Sequence, residues 1–239
     1  MNSYNKVPIL MYHSISDSKN SLSLSVDKFY DQMNFMKQKG FNTINLNELN
    51  QNDKNKFIIT FDDGYEDVLV NALPILKKFD FKAICFFVTD YLDLHNIWDQ
   101  HKSNFVLLKT MSKIQVDEWL KNGMKIGSHT SSHKNLRKIN IDEKISEISR
   151  SKNFFKEEFN IDVKFFSYPY GSYDNETVKI IKKYYKFAVT TRRSRYIKDR
   201  FNEYLLPRVP VNKNDSLFKF FLKIKTPYED IKYKNDQKV

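Results

Sequence analysis

The chain has 239 residues, 41% hydrophobic and 15% aromatic, which suits one folded domain of barrel size and excludes a disordered chain. A single cysteine excludes an internal disulfide, and no apolar run reaches the roughly 20 residues of a membrane-spanning helix. Forty basic against twenty-nine acidic residues give a charge of +11, but the basic residues are scattered and match no nucleic-acid-binding motif, so no nucleic-acid partner is expected.

The first strand-like run is 7–12, followed by a helical pattern at 26–39 that Ser25 can cap and Gly40 ends. A strand at 56–61 leads into a helical pattern at 66–79, where Pro74 should kink or split the helix because it has no N–H to donate. The next strand, 82–88, carries Cys85 among apolar neighbours, the setting of a buried thiol rather than a reactive one. Residues 90–112 read as a long insertion holding His95, Trp98, Asp99 and His101; Trp98 can stack on a sugar ring or simply belong to a surface loop. A helix at 113–122 and a strand at 124–128 come next. The helix at 141–159 is marked by Ile145, Ile148, Phe155 and Phe159, spaced by three to four residues or their multiples. A strand at 163–168, a helix at 174–185 and strands at 186–191 and 206–211 complete the alternation.

Beyond this alternation, 215–225 mixes apolar residues with Lys219, Lys223 and Lys225. That suits either a final helix packed on the domain or a basic segment resting on a membrane. Residues 226–239 read as a polar tail, so the expected division is 1–211 for the domain and 212–239 for a helix and tail. The N-terminus shows no signal-peptide pattern; the expected location is the cytoplasm or the inner face of the membrane, unless a leader has been removed.

Strands alternating with helices argue for a parallel sheet covered by helices, and in such barrels the chemistry gathers at the carboxyl ends of strands. His13, the Asp62-Asp63-Gly64 run, His129 and the Pro169-Tyr170-Gly171 run each follow a strand-like segment. Adjacent aspartates offer one hard oxygen ligand and one base. His129 and His133 can meet on one ion if their segment winds into a helical turn, since i and i+4 share a face. Two histidines and one carboxylate leave positions open for water and substrate, as a hydrolytic centre requires. Alone, Asp-Asp-Gly and Pro-Tyr-Gly are turn signals and His-x-x-x-His is weak; their order, each after a strand, carries the reading.

The runs Thr60-Phe61-Asp62-Asp63-Gly64, His129 to His133 and Phe166 to Gly171 resemble the first three motifs of the polysaccharide deacetylases, the NodB-homology group of carbohydrate esterase family four. The resemblance covers roughly residues 6–211. Pro8 to His13 and Leu206-Pro207-Arg208 look most like the subgroup that deacetylates exopolysaccharide amino sugars. It implies an α/β fold, an irregular and incomplete (β/α) barrel, and metal-dependent hydrolysis of an N-acetyl group on an amino sugar.

By the same resemblance Asp63, His129 and His133 hold the metal and Asp62 is the base. Pro169 and Tyr170 form a groove wall, with the Tyr170 N–H helping to hold the oxyanion. Zinc is the default for this donor set, with cobalt, nickel or iron able to fill it. Many members carry an arginine two residues before the proline; here that position is Ser167, and Arg208 is the candidate to replace its contact with Asp62. No histidine follows His133, which leaves His13 as the candidate to protonate the leaving amine. Leu206 is a candidate wall for the acetyl methyl, or an ordinary core leucine. The expected partner is an N-acetylated glycan or a lipid-linked sugar, with peripheral membrane contact in the second case; oligomeric state is not legible. Rival readings are a deacylase or deformylase of a polyprenyl-linked sugar and a catalytically silent carbohydrate-binding barrel.

Overall fold

The computed structural model describes residues 6–50 and 55–233. Seven parallel strands form a closed barrel: β1 (Ile9–Tyr12), β2 (Lys56–Phe61), β3 (Ala83–Phe87), β4 (Lys125–Ser128), β5 (Phe165–Ser167), β6 (Phe187–Arg193) and β7 (Leu206–Pro210). They follow one another around the barrel in chain order, and β1 closes it by pairing with both β2 and β7. The expected incompleteness is thus seven strands in place of eight. All six residues of β2 are buried, as a strand covered on both faces requires.

Helices cover the outside: α1 (Val26–Gln38), α2 (Leu73–Phe79), α3 (Lys113–Lys121), α4 (Ile141–Phe159), α5 (Asn175–Tyr184), α6 (Leu217–Lys225) and α7 (Tyr228–Lys232). Ser25 caps α1 through a hydrogen bond from the Lys28 N–H, and Gly40 just beyond it takes φ +69°. Pro74 splits its helix as expected. A π-helical turn spans Val68–Ala72, and α2 begins at Leu73 with Pro74 in its first turn, where the missing N–H costs nothing. Asn140 and Glu143 form a capping box at the start of α4.

The polar-tail reading of 226–239 is corrected over the described residues. Residues 228–232 are helical, and Glu229 and Asp230 are buried. Arg193 grips Glu229 through Nε and Nη2 at 2.9 and 3.0 Å, while Asp230 takes Arg195 at 2.7 Å and Lys6 at 2.9 Å. Composition called this segment polar because its charges are paired with partners distant in sequence. Residues 234–239 lie outside the described residues. Phe220 and Ile224 of α6 face the core, and Phe35 of α1 meets Phe220 and Phe221 edge-on, which is the packed-helix reading of 215–225. No helix among the described residues is long and apolar enough to cross a membrane.

Candidate metal centre and its carboxylate–arginine pair

The carboxyl ends of β1, β2 and β4 place the central groups. Register pairs Tyr12 with Phe61, and the Asp62 N–H donates to the Tyr12 carbonyl at 3.0 Å, so His13 and Asp62 leave the barrel side by side. The chain turns sharply there: Asp63 takes φ +71° and Gly64 φ +68°. Gly64 cannot be replaced cheaply, because a Cβ would stand 2.4 Å from the Phe87 ring of β3. The turn sends successive carboxylates to different partners.

Asp63 meets the two histidines. Its Oδ1 lies 3.5 Å from His129 Nε2 and 3.4 Å from His133 Nε2, and all three residues are buried. Ligands on a tetrahedral zinc at 2.0–2.1 Å stand about 3.3 Å apart, so these separations fit the edges of such a site. His129 is oriented by Nδ1–H donating to the Ser167 carbonyl at 2.7 Å, which leaves the Nε2 lone pair for an ion. His133 Nδ1 is buried and has no hydrogen-bond partner among the described residues.

The expected helical turn between the histidines is corrected. Residues 129–133 are not helical, and Thr130 and His133 take φ +69° and +61°. Two left-handed residues bring His133 back beside His129 where a helix would have used its i, i+4 face. The loop is held from outside by α4: Glu147 accepts from the Ser132 N–H and hydroxyl at 2.8 and 2.5 Å, and its carbonyl accepts from the Ser131 N–H. With Asp63 and Tyr170, the site collects four non-glycine residues in a conformation that costs roughly 1–3 kcal/mol each, a strain met at functional sites.

Asp62 is held by Arg208. Nη1 donates to Oδ1 at 2.7 Å and Nη2 to Oδ2 at 2.6 Å. The other N–H groups reach the Thr190 carbonyl at 2.9 Å and the Thr60 and Ser167 hydroxyls at 3.2 Å each, so all five donors have acceptors. Arg208 is fully buried, and Ser167 itself contacts it, which is why a serine suffices at that position. His13 Nε2 lies 4.0 Å from Asp62 Oδ2.

These contacts split the two carboxyls. Burial would raise Asp62, but the charge and hydrogen bonds of Arg208 outweigh it and hold the carboxyl well below the usual range. Burial, then the charge of Asp62, push Asp63 up to about 8. Burial keeps His129 and His133 below the ordinary histidine value, and lowers His13 to about 4 against the pull of Asp62. The metal-free site therefore holds neutral imidazoles and a protonated Asp63 at neutral pH. An entering cation must displace that proton. Below pH about 8, apparent zinc affinity should fall about tenfold per pH unit, with one proton released per ion. Competition titrations at pH 6 and 7, with proton release measured in two buffers, check this; a pH-independent affinity would contradict it.

A cavity of about 640 Å³ opens beside His133, walled by Tyr91, Trp98, Lys102, Lys138 and Tyr170. Pro169 is buried behind it. Tyr170, in the turn after β5, is left-handed at φ +59°, with its ring 4.6 Å from His133. The Trp98 ring also stands close to His133, 5.1 Å between ring centres, so the insertion reaches the rim. His101 also lines the cavity, whereas His95 is exposed and bridges to Lys109. Leu206 is not brought to this cavity. It opens β7 at the amino end of the barrel and packs with Ile9, Ile58 and Val189, as an ordinary core leucine does. Sequence reasoning missed Glu147 and Thr190, whose roles come from contacts that no local pattern records.

The profile of the polysaccharide deacetylase family matches residues 49–186. YxkH of Bacillus subtilis (strain 168), itself assigned to the polysaccharide deacetylases, is 34% identical over 215 residues, spanning 87% of this chain and 72% of its own. A poly-β-1,6-N-acetyl-D-glucosamine N-deacetylase of Staphylococcus aureus (strain MRSA252) is 28% identical over 233 residues, 90% of this chain and 76% of its own. Among solved structures, the Streptococcus pyogenes deacetylase PplD, in complex with acetate, superposes with a TM-score of 0.79 at 25% identity, over 93% of this chain and 100% of that one.

Proposed function

The chain belongs to the polysaccharide deacetylase family, and on that premise we propose that it removes the N-acetyl group from an amino sugar of a polysaccharide by metal-dependent hydrolysis. The observation that carries this reading is a carboxylate outside the donor set, Asp62, clamped by a buried arginine beside a complete Asp63–His129–His133 set. A silent binding barrel would need neither the clamp nor the donor set.

Amide hydrolysis needs a deprotonated water, a stabilised oxyanion and a protonated leaving amine. A divalent ion held by Asp63, His129 and His133, zinc by the character of the donors, supplies the charge that polarises the acetyl carbonyl and acidifies water. Asp62 is tied to no ion and accepts the water's proton. The Tyr170 N–H donates to the carbonyl oxygen as its charge grows. His13 is neutral at pH 7, so the proton it hands to the amine must reach it during turnover, and Asp62 at 4.0 Å is the adjacent source.

Acetate released by zinc-loaded protein from N-acetylglucosamine oligomers is the test. Poly-β-1,6-N-acetylglucosamine is the first polymer to try, given the Staphylococcus aureus relative's name. Zinc retained without acetate released would shift the reading to another acyl group or a lipid-linked sugar. His13→Ala should cut amide turnover by about 10²-fold or more while zinc content holds. An aryl acetate, whose leaving group needs no proton, should be largely spared. Equal loss on both substrates would remove His13 from the proton path.

A further inference from the structure

The 90–112 insertion is fastened to the turn after β5 at the wall of the cavity. The Tyr170 hydroxyl donates to Asp99 Oδ1 at 3.1 Å, joining residues 71 apart in sequence. The same oxygen takes the Lys102 ammonium at 2.7 Å, and that ammonium also lies over the Tyr170 ring, 4.9 Å from its centre. Tyr170 and Lys102 both line the cavity, so one carboxylate holds two of its walls. Burial, and then the charge of Asp99, push the Tyr170 hydroxyl up, so it keeps the proton that it donates. These contacts add little to stability, because the Lys102 and Asp99 side chains are 41% and 15% exposed and such ion pairs are screened by water. What they fix is direction. Tyr170 is 41% exposed, and without the carboxylate its ring is free to turn away from the cavity.

We propose that Asp99 is a positioning residue for glycan binding: it latches the Tyr170 ring and the Lys102 ammonium into the cavity wall, so that the sugar chain beside the scissile acetyl group meets a preset surface. The proposal rests on the glycan-deacetylase reading above. A mobile side chain that must be ordered when a ligand arrives weakens binding, and one ordered in advance does not. The latch acts on both aromatic walls at once. Trp98, the residue before Asp99, has its ring 5.1 Å from His133, and the Tyr170 ring is 4.6 Å from the same histidine. Aromatic faces with a few placed polar groups are what orients a ligand in such a cavity, and here the polar group is the Lys102 ammonium.

Calorimetric titration of an N-acetylglucosamine oligomer into zinc-loaded Asp62→Asn protein reads binding without turnover. In that background Asp99→Ala should weaken binding about tenfold. Tyr170→Phe keeps the ring and the N–H but removes the latching hydroxyl, and should cost less because Lys102 keeps its partner. The double variant should lose less than the product of the two single losses, since both remove one shared contact. With Asp62 restored, Asp99→Ala should raise KM for acetate release and leave kcat in place, the split expected for a binding contact. Unchanged affinity in Asp99→Ala overturns the proposal alone. So do losses that multiply in full, or a fall in kcat with KM unchanged, since a general loosening of the loop would then be the cause. A wild-type protein that binds the oligomer and releases no acetate overturns the deacetylase reading, and the calorimetric cycle still decides the latch. A protein that neither binds nor hydrolyses the oligomer overturns both.

Discussion

Asp62→Asn should abolish acetate release while zinc stays bound. The substitution is isosteric and leaves one oxygen for Arg208, so the barrel end keeps its shape. What disappears is the carboxylate that Arg208 holds beside the donor set without its being aimed at the histidines. Loss of a general base costs about 10²–10⁴-fold in turnover. Metal binding should persist. After burial, the charge of Asp62 is the next largest influence holding Asp63 up at about 8. Neutralising it lowers Asp63 and reduces the proton that zinc must displace at pH 7, but it also removes an anion that attracts the ion, and the two effects oppose. Zinc should therefore stay bound in the inactive variant, measured by the same competition titration. An active Asp62→Asn would sink the assignment. An inactive variant that has lost zinc would instead place Asp62 among the ligands. Arg208 then faces a neutral amide, so a urea melt of the variant must accompany the assay to show that the barrel is folded.

The centre was legible where chemistry sits next to a strand end. The strand Lys56–Phe61 reads directly from its run Phe57-Ile58-Ile59-Thr60-Phe61, and the pair that follows it is unusual enough to carry a hypothesis. His129 follows β4 in the same way. How His133 joins it was not legible. Spacing suggested a helical turn, whereas the structure uses left-handed Thr130 and His133 with Glu147 bonded to the loop from α4. Neither residue type announces a positive φ. Arg208 lies 146 positions from Asp62, and its one trace in the sequence is Ser167, where many members of the family carry an arginine. The same limit explains α7. Glu229 and Asp230 look like surface charges in any window, and become core residues only through Arg193, Arg195 and Lys6.

Arg208→Ala should cost both activity and stability, and the pH dependence separates the two. The guanidinium satisfies a carboxylate, two hydroxyls and a carbonyl with no access to water. Breaking a buried pair from one side typically costs about 3–5 kcal/mol, because the remaining charge is left uncompensated. In wild type the pair depresses the Asp62 carboxyl. Its contribution is complete above the ordinary aspartate value near about 3.9 and is lost only as pH falls through the lower folded value. In Arg208→Ala the largest influence holding the carboxyl down is gone and burial raises it, so the base becomes protonated over a range where wild type is ionised. Residual turnover should therefore be lower by about 10²-fold at neutral pH and should climb with pH across a range where wild type is flat. Urea unfolding at pH 7 gives the stability loss. Replacing both partners by apolar residues, Arg208→Met with Asp62→Leu, should recover most of that loss while remaining inactive, since a buried ion pair contributes little net stability over a well-packed apolar pair. The clamp would then be kept for ionising and aiming Asp62 rather than for holding the barrel together. Intact turnover in Arg208→Ala, with an unshifted pH profile, would show that Asp62 needs no such partner.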